Sequence, residues 1–415
     1  MSSSKTSSRI EGLTPPHQWA FRTRFRRRGF GWKSQPAIKR VKEAVAEIKK
    51  VARKDRVLAA EGAVLLMERL SPALEQVDGS SGAIGSAVNH AIVTLVPIIA
   101  SAPVEDGRRE QWLQRLFAAH RADEMPYIER LADYWGELCA SPVIAARWAD
   151  ELIDMTRRAL APERSPRAFF HGTTACLAAL FAAGRYDELL DLLQHDRFWP
   201  YQRWAARALA ERGNRAAAIR LAEACRGSGY VEQEIDQFCE QLLLSSGLVD
   251  EAYQRYGLRA HRATTYAGWF RAVRKRYPDK PAAEVLADLV AETSGEEGKW
   301  FAAAKDAKLF DQAISLANLS PCDPKTLIRA ARDYAQTQPA FAIEAGISAL
   351  RWMVGGYGYE ITYADVLNAY THTTAAAANF RCAEATELRI RELVAAETFG
   401  DRFVTQTLGP RLGIA

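Results

Sequence analysis

The sequence predicts an all-α chain, an α-solenoid of stacked antiparallel helix pairs led by a basic N-terminal arm, and three observations predict it. First, a turn phrase recurs: Gly184, Gly213 and Gly247 are each followed five residues later by an apolar, mostly small residue (Leu189, Ala218, Ala252), and Lys308 stands in the glycine's place before Ala313. The spacings are 29, 34 and 61 residues, so any repeat between 247 and 308 has lost the phrase. Such pairs cannot bury their apolar faces alone and must stack. Second, no run alternates apolar and polar residues with β-branched enrichment for long enough to form a sheet. Third, residues 1–56 carry 16 Lys or Arg against four acids, although all 415 residues sum to only +5, so a basic arm precedes an acidic body. That asymmetry suits a polyanionic partner, an acidic protein surface, or an arm folded on its own body.

In chain order, residues 1–20 are rich in Ser, Thr and Pro and read as disordered. The run from Phe21 to Trp32 interleaves five arginines with four aromatics. Pro36 then opens a helix in which Ile38, Val41, Val45, Ile48 and Ala52 recur at steps of three and four. A second helix is expected from Val57 to Glu75, bent or ended by Pro72, and a third near Ala87 after the Gly/Ser turn at 79–86. The apolar run from Ala91 to Ala100 is ten residues long, too short to span a bilayer. Tyr127, Ile128, Leu131, Tyr134, Trp135 and Leu138 form an i, i+3, i+4, i+7 stripe that predicts one amphipathic helix. Pro162 and Pro166 mark a boundary. The expected division is a disordered or extended basic arm (1–35), an N-terminal helical domain (36–160) and a helical-repeat domain (161–415). Later, Asp323 is placed as an N-cap with Pro324 as first helical residue, and Tyr277-Pro278-Asp279 and 294–298 are turns.

From about residue 168 to 320 the hairpins resemble tetratricopeptide-type repeats, with HEAT-like pairs as the alternative. The tetratricopeptide Trp and Gly-Tyr positions of the first helix are not kept, the places eleven residues before Gly184 and Gly213 holding Thr173 and Gln202. The whole chain, with its A-D-Y-W-G-E-L-C and S-P-C-D-P-K-T-L-I-R-A-A-R-D segments, also resembles bacterial helical proteins of unassigned function. This resemblance implies a fold and a bacterial source and supplies no catalytic residues.

The arm is the leading functional candidate. Arg22, Arg24, Arg26, Arg27, Arg28 and Lys33 can neutralise phosphates or carboxylates, while Phe25, Phe30 and Trp32 can stack on bases or fill a groove. Lys39, Lys42, Lys49, Lys50 and Arg53 extend the basic surface along the first helix. The alternative is self-packing, with the aromatics anchored on the first helices and the arginines paired with acids of the body. The most enzyme-like phrase is His171-Gly172-Thr173-Thr174-Ala175-Cys176. A histidine five residues before a cysteine lies about 140° away on a helix, so Thr173 or Thr174 is expected to cap the helix and Cys176 to fill core. Gly79, Gly82 and Gly85 precede a helix without the strand or Lys-Ser/Thr of a P-loop and read as a turn. Gly355 to Tyr359 form either a peptide-contacting lip or a long turn with Tyr357 and Tyr359 packed down. The acids Glu232, Glu234, Asp236 and Glu240, and likewise Asp187, Glu188 and Asp191, read as solvated faces rather than metal ligands, having no convergent histidine partner.

Six scattered cysteines without a C-x-x-C pair, and no apolar signal segment in the first 35 residues, indicate reduced thiols and a cytoplasmic protein, although the Arg- and Ser-rich start has transit-peptide character. The functional expectation is a non-catalytic scaffold holding a protein partner on a helical-repeat surface, its basic arm meeting an acidic surface. Alternatives are a nucleic-acid-binding accessory factor contacting DNA or RNA through residues 21–56 and, further off, a cysteine-dependent enzyme. No cofactor, metal or membrane contact is expected.

Overall fold

The computed structural model describes residues 17–161, 170–227 and 231–414. Its contacts divide the chain into two compact units, 1–226 and 227–415. The first contains α1 (Ser34–Ala52), α2 (Arg56–Leu74), α3 (Ala83–Ala100), α4 (Asp106–Arg121), α5 (Trp135–Cys139), α6 (Pro142–Ala159), α7 (Thr173–Ala182), α8 (Tyr186–Leu193), α9 (Trp199–Glu211) and α10 (Arg215–Glu223). The second contains α11 (Glu232–Ser245), α12 (Val249–Ala252), α13 (Leu258–Ala260), α14 (Tyr266–Arg276), α15 (Ala282–Ala291), α16 (Phe301–Asp306), α17 (Phe310–Leu319), α18 (Pro324–Tyr334), α19 (Pro339–Val354), α20 (Tyr363–Asn379), α21 (Ala383–Ala395) and α22 (Phe403–Leu412). No strand occurs among the described residues, and helices pack on their chain neighbours in a solenoid-like manner.

The recurrent turn phrase has a backbone cause. Gly184, Gly213, Gly247 and Lys308 all adopt positive φ, at 71°, 80°, 76° and 61°. In each case the next residue's N–H returns to a carbonyl five residues earlier: Arg185 to Leu180, Asn214 to Leu209, Leu248 to Leu243 and Leu309 to Ala304, all within 2.9–3.0 Å. This is the Schellman closure, which satisfies carbonyls left open at a helix end and favours glycine. Leu189, Ala218, Ala252 and Ala313 are then fully buried where the returning helix meets its mate. Arg381, φ 57°, repeats the closure through Cys382 N–H to Ala377 O, with Thr386 buried five residues on. The sequence hid that turn because neither glycine nor alanine marks it. Between 247 and 308 the hairpin α14–α15 turns instead through Tyr277, Pro278 and Asp279.

In the first unit α1 and α2 pack on each other and on α3, and α5, α6 and α9 all contact α7. Gly136 permits the α5–α7 contact, since a Cβ there would lie 2.6 Å from the Ala178 carbonyl oxygen. The expected boundary at 162–166 lies outside the described residues, and the helices on either side of it, α6 and α7, are packed together. In the second unit α18, α19 and α20 pack mutually. Asp323 caps α18 by accepting from Lys325 N–H (3.3 Å) and Thr326 N–H (3.0 Å), with Pro324 opening the helix as expected.

Several expectations are corrected. The stripe at 127–138 is not one α-helix: Glu129–Tyr134 is a 3₁₀ turn that leads into α5. Buried Asp123 accepts from Tyr127 and Ile128 N–H at 3.3 and 2.7 Å and sets this tighter entry. Pro72 does not end α2, which runs to Leu74. Helix α3 begins at Ala83, so the apolar segment is 18 residues, long and apolar enough by length and composition to cross a membrane. Ile84, Val88, Ala91, Ile92, Leu95, Val96 and Ile99 are nevertheless buried within the unit. The α7 N-cap is Gly172, without a side-chain cap from either threonine. Neither tyrosine packs down: Tyr359 is 80% exposed, and Tyr357 is also exposed although its ring meets Trp352 at 5.1 Å between centroids.

The acids of α11 are the largest correction. Asp236 and Glu240 are each 2% exposed, not solvated. Glu240 accepts from His261 Nε2 at 2.9 and 3.0 Å and from Tyr277 Oη at 2.6 Å, with Arg276 Nε 3.6 Å away, while Arg259 approaches Asp236 at 3.5 Å. A histidine does converge here, from 21 residues along the chain, where helical spacing could not reveal it.

Candidate acidic-partner or nucleic-acid interface

From His17 onward the arm is seated on the body of the first unit, as turns over 20–28 and as irregular chain over 29–33. Residues 20–28 form consecutive turns, closed by Arg22 N–H to Trp19 O (3.1 Å) and Phe25 N–H to Phe21 O (3.0 Å). Residues 1–16 lie outside the described residues. The cause is apolar burial: Trp19, Phe21 and Phe25 join the core of the first unit, and Phe30 packs against it. Their rings meet in a chain, Trp19–Phe21 at 5.4 Å, Phe21–Phe25 at 6.2 Å and Phe25–Phe30 at 5.2 Å. Gly62 on α2 makes the notch for Trp19, since a Cβ at 62 would lie 2.1 Å from the indole.

Polar contacts fix the arm's register. Ala20 N–H donates to Glu47 at 2.8 Å, Arg28 N–H to the Pro72 carbonyl at 2.8 Å, and Arg69 Nη1 to the carbonyls of Arg22 and Phe25 at 3.3 Å. Arg24 pairs with Glu43 at 3.1 Å, and Arg27 and Arg28 each reach Glu75 at 2.9 Å. The hydrogen bond from Arg40, with Lys39 and Arg24 nearby, holds Glu43 below the ordinary carboxylate pKa, and those from Arg28 and Arg27 do the same for Glu75. The arm thus uses part of its positive charge on the body that carries it.

What remains is a separate basic stripe. Lys39, Lys42, Lys49, Lys50 and Arg53 are all exposed on α1. At 100° per residue they fall within about 100° of arc, and from first to last they span about 21 Å along the axis. Glu43 and Glu47 lie on the adjoining flank that faces the arm. Among the described residues none of the five stripe cations, nor Arg22, Arg26 or Lys33, makes a salt bridge. Trp32, 72% exposed beside Lys33, is the one arm aromatic left fully open to solvent. The structure therefore separates the predicted residues. Phe25 and Phe30 serve packing, Arg24, Arg27 and Arg28 serve docking, and the stripe with Arg22, Arg26, Trp32 and Lys33 faces solvent.

The cysteine phrase gives a different geometry. Cys176 is fully buried, and burial pushes its thiol up to about 11, opposed by a hydrogen bond with Thr156. Burial likewise pushes Cys139 and Cys322 up to about 12. His171 faces His120, whose Nε2 lies 3.1 Å from the His171 carbonyl oxygen. Such thiols are poor nucleophiles at neutral pH.

Comparison with protein-family models, curated proteins and solved structures gives no match. The described helices are compatible with a helical solenoid, and nothing outside the chain assigns its repeat class or source.

Proposed function

We propose that this protein is a non-catalytic helical scaffold that holds a protein partner on its hairpin surfaces and docks the α1 stripe on an acidic surface of that partner. The observation that carries the reading is the stripe itself: five exposed cations along one helix face that make no salt bridge among the described residues, while neighbouring arginines are paired with Glu43 and Glu75. Complementary charge at such a surface speeds encounter and selects partners. The burial of Phe21 and Phe25 removes two of the flat faces that base stacking would use, which favours an acidic protein over single-stranded nucleic acid. Raised thiol pKa values weigh against the cysteine-dependent enzyme, and six free cysteines suit a reducing compartment such as the cytoplasm.

The test is fluorescence anisotropy of a labelled oligo-glutamate peptide, with single-stranded and duplex DNA and RNA in parallel, at low and physiological salt. The full chain is compared with one carrying Lys39→Gln, Lys42→Gln, Lys49→Gln and Lys50→Gln together. Salt-sensitive peptide binding that weakens about tenfold or more in the variant is expected. Peptide affinity left unchanged by the four substitutions refutes the docking role of the stripe. A second reading, a nucleic-acid accessory factor, rests on exposed Trp32 beside Lys33. It becomes primary if nucleic acid binds more tightly than the peptide and Trp32→Ala weakens it.

A further inference from the structure

On a different face of the first unit, α9 sets two arginines one turn apart, and their environments differ. Arg203 is satisfied: its guanidinium pairs with Asp133 and its Nε donates to the Pro200 carbonyl at 3.0 Å. Arg207 is held but not satisfied. Its guanidinium carbon lies 4.5 Å from the Phe181 ring centroid and 4.6 Å from that of Trp204. It makes no hydrogen bond or salt bridge with any described residue, yet it retains solvent exposure. The surrounding packing and then the like charge of Arg203 lower its pKa from the ordinary arginine value. Trp204, which carries the cation, is itself buried with its indole N–H lacking an acceptor among the described residues.

We infer that Arg207 is an anion-recognition point, taking a side-chain carboxylate of an acidic segment of a protein partner laid across α7 and α9. Two rings immobilise the guanidinium before any ligand arrives, so its planar fork of donors is presented without the usual loss of rotamer freedom. The apolar rings also lower the local dielectric, which strengthens a charge-assisted hydrogen bond. The neighbouring charges choose the class of ligand. Arg203 is already paired with Asp133, so the site offers a single unpaired guanidinium, and Glu211 and Asp133 act on it electrostatically; that balance fits one carboxylate and repels the denser charge of a polyphosphate strand more strongly. The inference rests on the scaffold reading only for the existence of a protein partner, and it involves none of the α1 stripe.

The test uses the full chain with Lys39, Lys42, Lys49 and Lys50 already changed to Gln, so that the stripe cannot supply the signal. The probe is a labelled octapeptide alternating glutamate and alanine, with its glutamine counterpart and an oligothymidylate of equal length as comparisons. Binding of the glutamate peptide is expected, weakened about tenfold or more by Arg207→Gln, as loss of a charge-assisted hydrogen bond implies, and partly retained by Arg207→Lys. Far-UV circular dichroism and the melting temperature accompany each variant. Equal affinity with and without Arg207→Gln overturns the inference, as does equal binding of the glutamine peptide, tighter binding of oligothymidylate, or no binding of the glutamate peptide. If instead the stripe fails its own assay while Arg207 passes this one, the docking reading falls and the anion site stands.

Discussion

Replacing Phe25 by alanine should release the arm, whereas removing its ion pairs should not. Phe25 is 1% exposed and lies at the centre of the arm's ring chain. Truncating a phenylalanine so placed costs roughly 3–5 kcal/mol, the transfer of the ring plus the cavity it leaves. Because the arm is a short segment that can open without the rest of the unit, the cost should fall mainly on local opening. At about 1.4 kcal/mol per tenfold, the open population rises by between about two and four powers of ten. Exposed ion pairs contribute little by comparison, so Glu75→Gln, which loosens Arg27 and Arg28, should leave the arm docked. The arm reports on itself: Arg22, Arg24, Arg26, Arg27 and Arg28 are trypsin sites, and cleavage requires the backbone to leave its turns. Timed proteolysis followed by intact mass should show the native arm and Glu75→Gln resisting together, and Phe25→Ala cut within the arm far sooner. Equal cleavage of the native protein and Phe25→Ala, or release by Glu75→Gln to the same extent, refutes the argument that ring burial holds the arm.

Four further outcomes are expected. Glu240→Ala strands Tyr277 and His261 at a buried site and should destabilise the second unit by roughly 3–5 kcal/mol in chemical denaturation; an unchanged midpoint would contradict the network. Lys308→Gly should stabilise by about 0.5–1 kcal/mol, because a side chain at φ 61° carries strain that glycine lacks, and a lower melting temperature would argue against the shared turn geometry. A maleimide on the folded chain should label Cys382 first, the remaining five thiols being buried, and rapid modification of Cys176 would revive the enzyme reading. Burial lowers the pKa of His120, partly offset by the His171 carbonyl and by Asp123, with Glu129 also near. The folded state therefore resists its protonation, so this contribution to stability is intact above the unfolded value of about 6.5 and is lost as pH falls through the lower folded one. His120→Gln should flatten the melting temperature of the first unit across that window, and an unaltered pH profile would exclude this residue as the cause.

The helical repeat was legible in the sequence because its turn makes a backbone demand. Positive φ selects glycine at 184, 213 and 247, and the buried contact five residues later selects a small or apolar side chain. Where other residues accept the same strain, as Arg381 does, the phrase vanishes although the geometry persists. The stripe at 127–138 misled because a 3₁₀ turn and an α-helix both bring residues three apart onto one face, and only Asp123 decides between them. Asp236 and Glu240 were misread for a related reason: a charged residue on a helix looks solvated until its partner, supplied from another segment, is known. The arm's cations stand out in the sequence by their density. Their division into spent and unspent charge was not visible, since it depends on Glu43 and Glu75 reaching three particular guanidinium groups. Arg207 went unnoticed because a lone arginine on a helix carries no pattern, and its character comes from Phe181 and Trp204.

The turns from Trp19 to Arg28 bear on the thermodynamics of any association made there. A basic tail that orders only on contact gives up chain entropy at that moment and shows a large negative heat-capacity change as it folds. Here the backbone is already seated by the Gly62 notch and the buried rings before a partner arrives. Calorimetry of an acidic ligand on Arg22, Arg26 and Lys33 should then register little change in heat capacity, and affinity should depend on ionic strength far more than on temperature.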